Sequence, residues 1–272
     1  METIRSFSID LNWVDGTWAP DGVFANASAV HWADWYQALG CTNFWTFAVS
    51  YNGRAWYDSA FSPKLSGLAG NFTKDCVAEG HRRGMSVFAY HCLGANPIIA
   101  QSHPEWSRQN PDDFFDLIFC DAYLELFCSM VCESARMCEY DGLVIDWFRC
   151  PQKRLPMWQP AEKELYEERM GQPFPGEAVL TAKELATFEK RCIEVAWTQI
   201  SRAVKSVNQN IEIWTNQPFN FAEDLVWNNN VLMREADYIL NCILRRTVVS
   251  DAAVSGRCAP QWPVGINRAS VL

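Results

Sequence analysis

The sequence is short of positive charge. Its 272 residues include 23 Lys and Arg against 32 Asp and Glu, for a formal net charge of −9, and no basic stretch stands out. Nucleic acids and anionic membrane surfaces attract proteins through basic patches. We therefore expect neither nucleic acid nor a membrane as a partner.

Long apolar runs and targeting patterns are also missing. No run approaches the roughly 20 apolar residues that a membrane span needs, and residues 1–5 lead into a strand-like segment without the regions of a signal peptide. The eleven cysteines are odd in number, and most lie within apolar runs. Free cysteine is among the most buried residue types, so we expect reduced, mostly buried thiols in a cytoplasmic protein.

Motifs for cofactors are absent as well. The cysteines form no CxxC pair and no Cys/His cluster with zinc spacing, and the sequence has no nucleotide-phosphate loop. We expect no metal and no cofactor. What the chain does have is aromatic residues, with 13 Trp, 16 Phe and 8 Tyr. Such rings fill protein cores, and they also stack on the C–H faces of sugars.

Strand-like and helix-like segments alternate along the chain, which is typical of an α/β fold with a parallel sheet. The predicted strands are 5–12, 43–49, 85–91, 143–145, 211–215 and 236–241; the predicted helices are 28–39, with Ser28 as N-cap, then 71–83, 122–140 and 180–207. We expect a single (β/α)8 TIM-type barrel domain over residues 1–272, with the polar segment 152–176 as an insertion on its rim. Only about six βα units are visible, so the last strands are missing or supplied by a partner.

The most informative segment runs from Tyr140 to Arg149. Its apolar run Leu143–Ile145 begins after Gly142 and ends in the carboxylate of Asp146. A buried parallel strand has this pattern, and the C-terminal ends of barrel strands carry the reactive groups. Asp146 is therefore the first catalytic candidate, against the alternative of an acidic loop residue that happens to follow a strand.

Strand parity brings further polar residues to the same rim. Alternation places Asp10 and Asn12 on one face of the first strand, His91 on the inner face of the third and Asn216 on that of the fifth. We expect Asp10, His91 and Asn216 to line one pocket with Asp146. The alternative is that these are solvated residues at loop entries.

Several segments together resemble a group of glycoside hydrolases similar to the α-L-fucosidases of glycoside hydrolase family 29. The resemblance covers roughly residues 5 to 245 and rests on the order and spacing of moderately specific pieces. These pieces are Asn52-Gly53-Arg54-Ala55-Trp56-Tyr57-Asp58-Ser59, Asp75 to Gly84, Ser86 to Tyr90, Ser102-His103-Pro104-Glu105-Trp106, Cys120-Asp121-Ala122-Tyr123, Glu133, Tyr140 to Asp146 and Arg169 to Pro175.

This resemblance implies a (β/α)8-like catalytic domain that hydrolyses a glycosidic bond in an exo fashion, with a carbohydrate as substrate. It implies that Asp146 is the nucleophile. A second carboxyl is required, about 5 Å away in a retaining enzyme and about 6.5–9.5 Å away in an inverting one. Its candidates are Asp10, Glu177, Glu223 and Asp224, although the last two are also suited to capping a following helix.

Substrate binding is expected to draw on residues around the same rim. Trp45, Tyr51 and Trp147 are candidate stacking platforms, as is Trp13, and Arg149 is expected to bind a substrate carboxylate or pair with a rim acid. Each aromatic is equally suited to ordinary packing.

Two other functions stay open. One is a sialidase-type barrel hydrolase that uses Asp10 and His91; the other is a carbohydrate-binding barrel domain that has lost catalysis. A homo-oligomer or an additional domain would fit the missing strands.

Overall fold

The structure is a computed structural model, and it describes residues 4–9, 11, 21–109, 115–150, 158–217, 230–241 and 265–266. Its helices are α1 Ala29–Ala38, α2 Phe72–Arg82, α3 Pro97–Ser102, α4 Asp121–Cys138, α5 Pro160–Met170, α6 Ala182–Val207 and α7 Asn230–Glu235, with a 3-10 turn at Pro104–Trp106. Its strands are β1 Asn43–Phe47, β2 Ser86–Cys92, β3 Ser107–Gln109, β4 Phe115–Leu117, β5 Gly142–Asp146, β6 Glu212–Gln217, β7 Tyr238–Asn241 and β8 Gly265–Ile266.

Six strands form one sheet in the order β1-β2-β5-β6-β7-β8. The pairs from β1 to β7 are parallel, and β8 joins β7 in an antiparallel sense. Strands β3 and β4 form a separate antiparallel pair. The predicted α/β class with a parallel sheet is confirmed, whereas within the described ranges the sheet does not close into a barrel.

The sheet curves, with large aromatic side chains on its concave face. Trp45 of β1 and Trp214 of β6 have two strands between them, which would separate them by about 14 Å in a flat sheet. Their ring centroids are only 6.3 Å apart. Phe88 of β2 lies 4.3 Å from Trp214 and over Gly142, where a Cβ atom would come within 1.9 Å of the Phe88 ring. Barrel-like curvature is therefore built into the part of the sheet that is present.

Helices cover the opposite face of the sheet. Tyr36 of α1 stacks on Phe44 of β1 with ring centroids 4.8 Å apart. Gly80 lets α2 approach β2 closely, because a Cβ atom at that position would lie 2.3 Å from Val87 Cγ2. The two faces of the strands are thus both buried, one by helices and the other by the aromatic layer.

The predicted helix starts agree with the structure. Ser28 is the N-cap of α1, and its Oγ accepts the N–H of His31 at 3.4 Å. Asn71 caps α2 in the same way, accepting the N–H of Lys74 at 2.9 Å. Side chains of this type satisfy N–H groups that the first turn of a helix leaves without partners.

One prediction of a strand needs correction. Residues 4–9 and 11 are not in a strand, although the backbone carbonyl of Arg5 accepts the N–H of Thr42 at 2.8 Å beside the start of β1. The alternation of polar and apolar residues alone therefore does not establish a strand. The described part of the predicted insertion 152–176 contains α5, which opens with a capping box between Gln159 and Glu162.

Nine cysteines fall within the described residues, and all are free thiols. Cys76, Cys92, Cys138 and Cys192 are buried, and Cys41, Cys120, Cys128, Cys132 and Cys150 are partly buried. The cytoplasmic location stays a prediction. In the described part of the chain, none of the helices combines the length and apolar composition that crossing a bilayer requires.

Candidate active site

Asp146 is the last residue of β5, which lies inside the sheet between β2 and β6. Each of its carboxylate oxygens accepts a hydrogen bond. The phenol of Tyr90 donates to Oδ2 at 2.6 Å, and the backbone N–H of Trp147 donates to Oδ1 at 2.9 Å. The predicted position at the C-terminal end of a central parallel strand is confirmed, and the carboxylate is held in a fixed orientation.

The negative charge of Asp146 raises the pKa of two neighbouring side chains. Cys92 is its register partner on β2. Burial raises the pKa of the Cys92 thiol well above its usual value, and the Asp146 charge raises that pKa further. Burial likewise raises the pKa of Tyr51, with added effects of Cys92 and Asp116 and a smaller one of Asp146. Both groups are therefore neutral near pH 7.

Trp147 has an unusual backbone conformation. Its φ of 52° lies in the left-handed region, which costs energy for a residue with a bulky side chain and concentrates at functional sites. The ring lies 5.4 Å from that of Tyr51, and the Arg149 guanidinium stacks 4.4 Å from its centroid. Gly94 permits this turn, because a Cβ atom there would lie 2.5 Å from the Trp147 carbonyl oxygen. Tyr51, Trp147 and Arg149 thus gather at the strand end, as predicted.

Asp116 joins this group, and the sequence analysis missed it. It lies on β4, is only 2% exposed, and its Oδ1 is 3.5 Å from Nη2 of Arg149. Of the two roles expected for Arg149, the structure shows pairing with an acid. Asp116 lies in a three-residue strand, and such a segment is too short for a periodic pattern to reveal.

His91 does not line this site. The register pairs Tyr90 with Val144 and His91 with Ile145, so Tyr90 shares the face of Asp146 and His91 points the other way. Its Nε2 lies 2.9 Å from Ser134 Oγ of α4, and burial lowers its pKa to about 3. The predicted inward orientation is wrong, and the sialidase-type hypothesis loses one of its two residues.

The other candidates divide into two groups. Trp45 is buried in the aromatic layer below the strand ends, an environment of packing rather than of sugar stacking. Glu177 accepts the backbone N–H of Trp158 at 2.7 Å, so its carboxylate stabilises the fold of the insertion. Asn216 is the residue of β6 that follows Thr215, the partner of Ile145, and its backbone is therefore level with Asp146. Asp10, Asn12, Trp13, Glu223 and Asp224 lie outside the described residues.

A groove of about 540 Å³ lies elsewhere, on the outer face of α4 beside Phe61 and Met137. Its acid, Glu133, is engaged by the Tyr57 and Ser59 hydroxyls at 2.8 and 2.6 Å and by a backbone N–H. These bonds fix the segment after β1 to α4, so Glu133 has a structural role. The described residues also contain no cluster of three or more His, Cys, Asp or Glu side chains that could hold a metal ion.

Comparison with known families gives one match along the sequence. The profile of hypothetical glycosyl hydrolase 6 (GHL6) matches residues 28–147. This range contains β1, β2 and β5 and ends one residue beyond Asp146. Over residues 28–147 the chain resembles glycoside hydrolases of this family. No curated protein sequence matches it.

Solved structures extend the comparison to the fold. The chain is similar to α-L-fucosidase isoenzyme 2 from Paenibacillus thiaminolyticus, with a TM-score of 0.66 and 16% identity, over 84% of this chain and 35% of that protein. It is also similar to a cold-adapted β-galactosidase from Rahnella sp. R3, with a TM-score of 0.56 and 14% identity, over 79% of this chain and 36% of that one. These likenesses establish the fold. The chain spans about a third of the length of either protein.

Proposed function

We propose that this chain carries the catalytic residues of an exo-acting, α-L-fucosidase-like glycoside hydrolase and that Asp146 is its nucleophile. The observation that carries the proposal is the position of Asp146, at the C-terminal end of a central parallel strand with both carboxylate oxygens oriented. Barrel enzymes place their reacting groups at this end of the strands. The GHL6 match, whose range includes Asp146, supports a glycoside hydrolase function.

The proposed chemistry begins with attack of the Asp146 carboxylate on the anomeric carbon, which breaks the bond to the leaving-group oxygen; water then hydrolyses the glycosyl ester and releases the carboxylate. The transition state resembles an oxocarbenium ion, and a carboxylate held beside it offsets the developing positive charge. The Tyr90 phenol, 2.6 Å from Oδ2, fixes the carboxylate in place. Because Oδ1 accepts a backbone N–H, the carboxylate does not need to reorient during the reaction.

The rest of the substrate site belongs to the proposal. The partly exposed Trp147 provides aromatic surface beside the nucleophile, with a carbohydrate as the partner, and the buried Tyr51 ring packs against it. Asp10 and Glu223 remain the proposed sources of the acid that protonates the leaving oxygen, with Asn12 and Asn216 as ligands of sugar hydroxyls. Since the chain spans about a third of its structural neighbours, the proposal includes an additional domain or a second copy of the chain that completes the barrel.

A panel of nitrophenyl glycosides that includes the α-L-fucoside tests this function. The parent protein should release nitrophenol from at least one member, and Asp146→Asn should abolish that release. Asp58→Asn is the matched control, because it makes the same chemical change at a side chain 73% exposed whose ion pair with Lys64 is superficial. Loss of activity in both variants, or in neither, would contradict the role of Asp146.

Binding without hydrolysis is the second candidate function. The observation that favours it is the burial of Asp116, the carboxylate that the structure adds to the site, since a side chain 2% exposed cannot reach a glycosidic oxygen. If the parent binds monosaccharides or oligosaccharides by calorimetry but cleaves no member of the panel, this second function replaces the first.

A further inference from the structure

We propose that Asp116 is a positioning residue: its buried carboxylate holds the Arg149 guanidinium against the Trp147 ring and so keeps that positive charge from pairing with Asp146. The inference rests on the proposed function for its catalytic meaning, although the arrangement of charges can be tested without turnover.

The first step concerns burial. Asp116 has a side chain 2% exposed, and that of Arg149 is 16% exposed. A guanidinium stays charged at every accessible pH, and an isolated charge in such surroundings is costly unless a partner compensates it. Asp116 is the acid that the structure places against Arg149, with Oδ1 and Nη2 3.5 Å apart.

The second step concerns geometry. Leu93 donates its N–H to the Asp146 carbonyl at 2.9 Å, and Leu117 donates its N–H to the Gly94 carbonyl at 2.8 Å. The segment after β2 therefore lies between the backbone of Asp146 and that of β4, and Asp116 is fixed relative to Asp146. Arg149, three residues after Asp146, reaches Asp116 with its guanidinium over the Trp147 ring.

The third step is that Asp146 lies near Asp116 and Arg149, together with several titratable side chains. Around it lie Tyr90 and Cys92 of β2, Tyr51 from the segment after β1, Asp116 and Arg149. The charges of Asp116, Arg149 and Asp146 all act on the Tyr51 hydroxyl, and those of Asp146 and Arg149 act on the Cys92 thiol. Arg149 lies over the ring of Trp147, whose backbone N–H binds Asp146 Oδ1, so a guanidinium released by Asp116 has Asp146 as a neighbouring acid.

Neutralising Asp116 should therefore weaken the nucleophile. In Asp116→Asn the guanidinium loses its anionic partner, and Asp146 is the remaining acid in this group. A carboxylate paired with an arginine is a poorer nucleophile and titrates at lower pH. Removing Arg149 at the same time should reverse the effect, because the double variant no longer contains the guanidinium that would pair with Asp146.

The experiment is a double-mutant cycle of Asp116→Asn, Arg149→Gln and the combined variant, with Asp116→Glu as the conservative replacement. For the most reactive nitrophenyl glycoside, we expect Asp116→Asn to lower kcat about tenfold to a hundredfold, a size typical of coupled neighbours. The acidic limb of kcat should move to lower pH. The double variant and Asp116→Glu should each recover most of the lost kcat and return the limb toward its parent position.

A merely structural role for Asp116 predicts a different pattern. All variants would unfold at lower temperature, the acidic limb would stay in place, and the double variant would be no better than Asp116→Asn. That result would overturn the proposal, as would a loss confined to KM.

A second readout separates this inference from the proposed function. Titration of the Asp146 carboxyl carbon by ¹³C NMR, assigned by difference with Asp146→Asn, requires no turnover. We expect the midpoint to fall in Asp116→Asn and to rise again in the double variant, even if the parent cleaves no glycoside. An unchanged midpoint in Asp116→Asn would exclude the charge transfer, whether or not the protein is an enzyme.

Discussion

The two ends of β5 each carry an aspartate, and the contrast between them explains which one can do chemistry. Asp141 precedes the strand, and its Oδ2 accepts the N–H of Val87 at 2.7 Å and lies 2.8 Å from His81 Nε2. Its backbone N–H and carbonyl bond to the flanking strands β2 and β6. All these contacts join parts of the scaffold, so this carboxylate serves stability.

Asp146, five residues later, has different neighbours. Its carboxylate is held by a phenol and by the N–H of a residue in the left-handed region, beside an arginine stacked on an indole ring. Strained backbone and buried charge destabilise a fold and persist where function needs them. The same residue type on the same strand is thus structural at one end and suited to catalysis at the other.

The largest effect should come from the C-terminal end. Asp146→Asn should lower kcat by about 10³-fold or more, because an amide is a far poorer nucleophile and does not offset the transition-state charge. KM should change much less. Steady-state kinetics with thermal unfolding as the control checks both points; near-normal kcat would remove Asp146 from the mechanism.

His91 extends the comparison to the two faces of the sheet, because it points away from the face that carries Asp146. Burial lowers its pKa to about 3 in the folded protein, against about 6.5 when unfolded. Between these values the unfolded state binds more protons, so stability from this group is complete above about pH 6.5 and is lost as the pH falls toward 3. Urea unfolding at pH 7 and pH 4.5 should show a loss of a few kcal/mol.

The matched variant for that measurement is His91→Gln, which keeps a polar partner for Ser134 without a titrating group. Its stability should fall less between the two pH values than that of the parent. Equal losses in both proteins would mean that carboxylates alone account for the pH dependence.

At the N-terminal end, Asp141→Ala should act on stability and not on chemistry. It leaves the Val87 N–H without its side-chain acceptor, which typically costs about 1–3 kcal/mol. Turnover per folded molecule should stay within about twofold, because distant sites act independently. Chemical denaturation and kinetics on the same preparation measure both quantities, and a large fall in kcat would erase the distinction between the two ends.

An effect on kcat smaller than that of Asp146→Asn should come from Tyr90→Phe, which removes one hydrogen bond to Asp146 and keeps the ring. We expect kcat to fall about tenfold, the equivalent of one hydrogen bond to a charged group. A kcat equal to that of the parent would show that the backbone N–H of Trp147 suffices to orient the carboxylate.

Part of this architecture could be predicted from the sequence. The apolar run Leu143–Ile145 is long enough and sharply enough bounded to locate β5 and its terminal acid. Ser28 marks the start of α1 because an N-cap has a local chemical signature. Such features depend on neighbouring residues, and a single sequence contains them.

The rest depends on contacts between distant segments. Parity failed at β2 because both faces of that strand are buried, so alternation could not tell which side Tyr90 and His91 occupy. Asp116 could not be found at all, since its importance comes from Arg149, 33 residues later. The sequence alternates over Arg5–Asn12 as a strand should, but a strand also requires a ladder of backbone hydrogen bonds, and among residues 4–9 and 11 only Arg5 bonds through its carbonyl to the backbone beside β1.

Covalent trapping tests the central claim most directly. A 2-deoxy-2-fluoro fucosyl fluoride, or the corresponding derivative of whichever sugar the parent cleaves, should accumulate a glycosyl-enzyme intermediate. The 2-fluorine slows both formation and hydrolysis of the intermediate by destabilising their oxocarbenium-like transition states, whereas the anomeric fluoride is a good leaving group that keeps formation the faster step. Peptide mass spectrometry should place one sugar on Asp146, and Asp146→Asn should stay unlabelled. Stoichiometric labelling of a different residue, or equal labelling of Asp146→Asn, would contradict the assignment of Asp146 as the nucleophile.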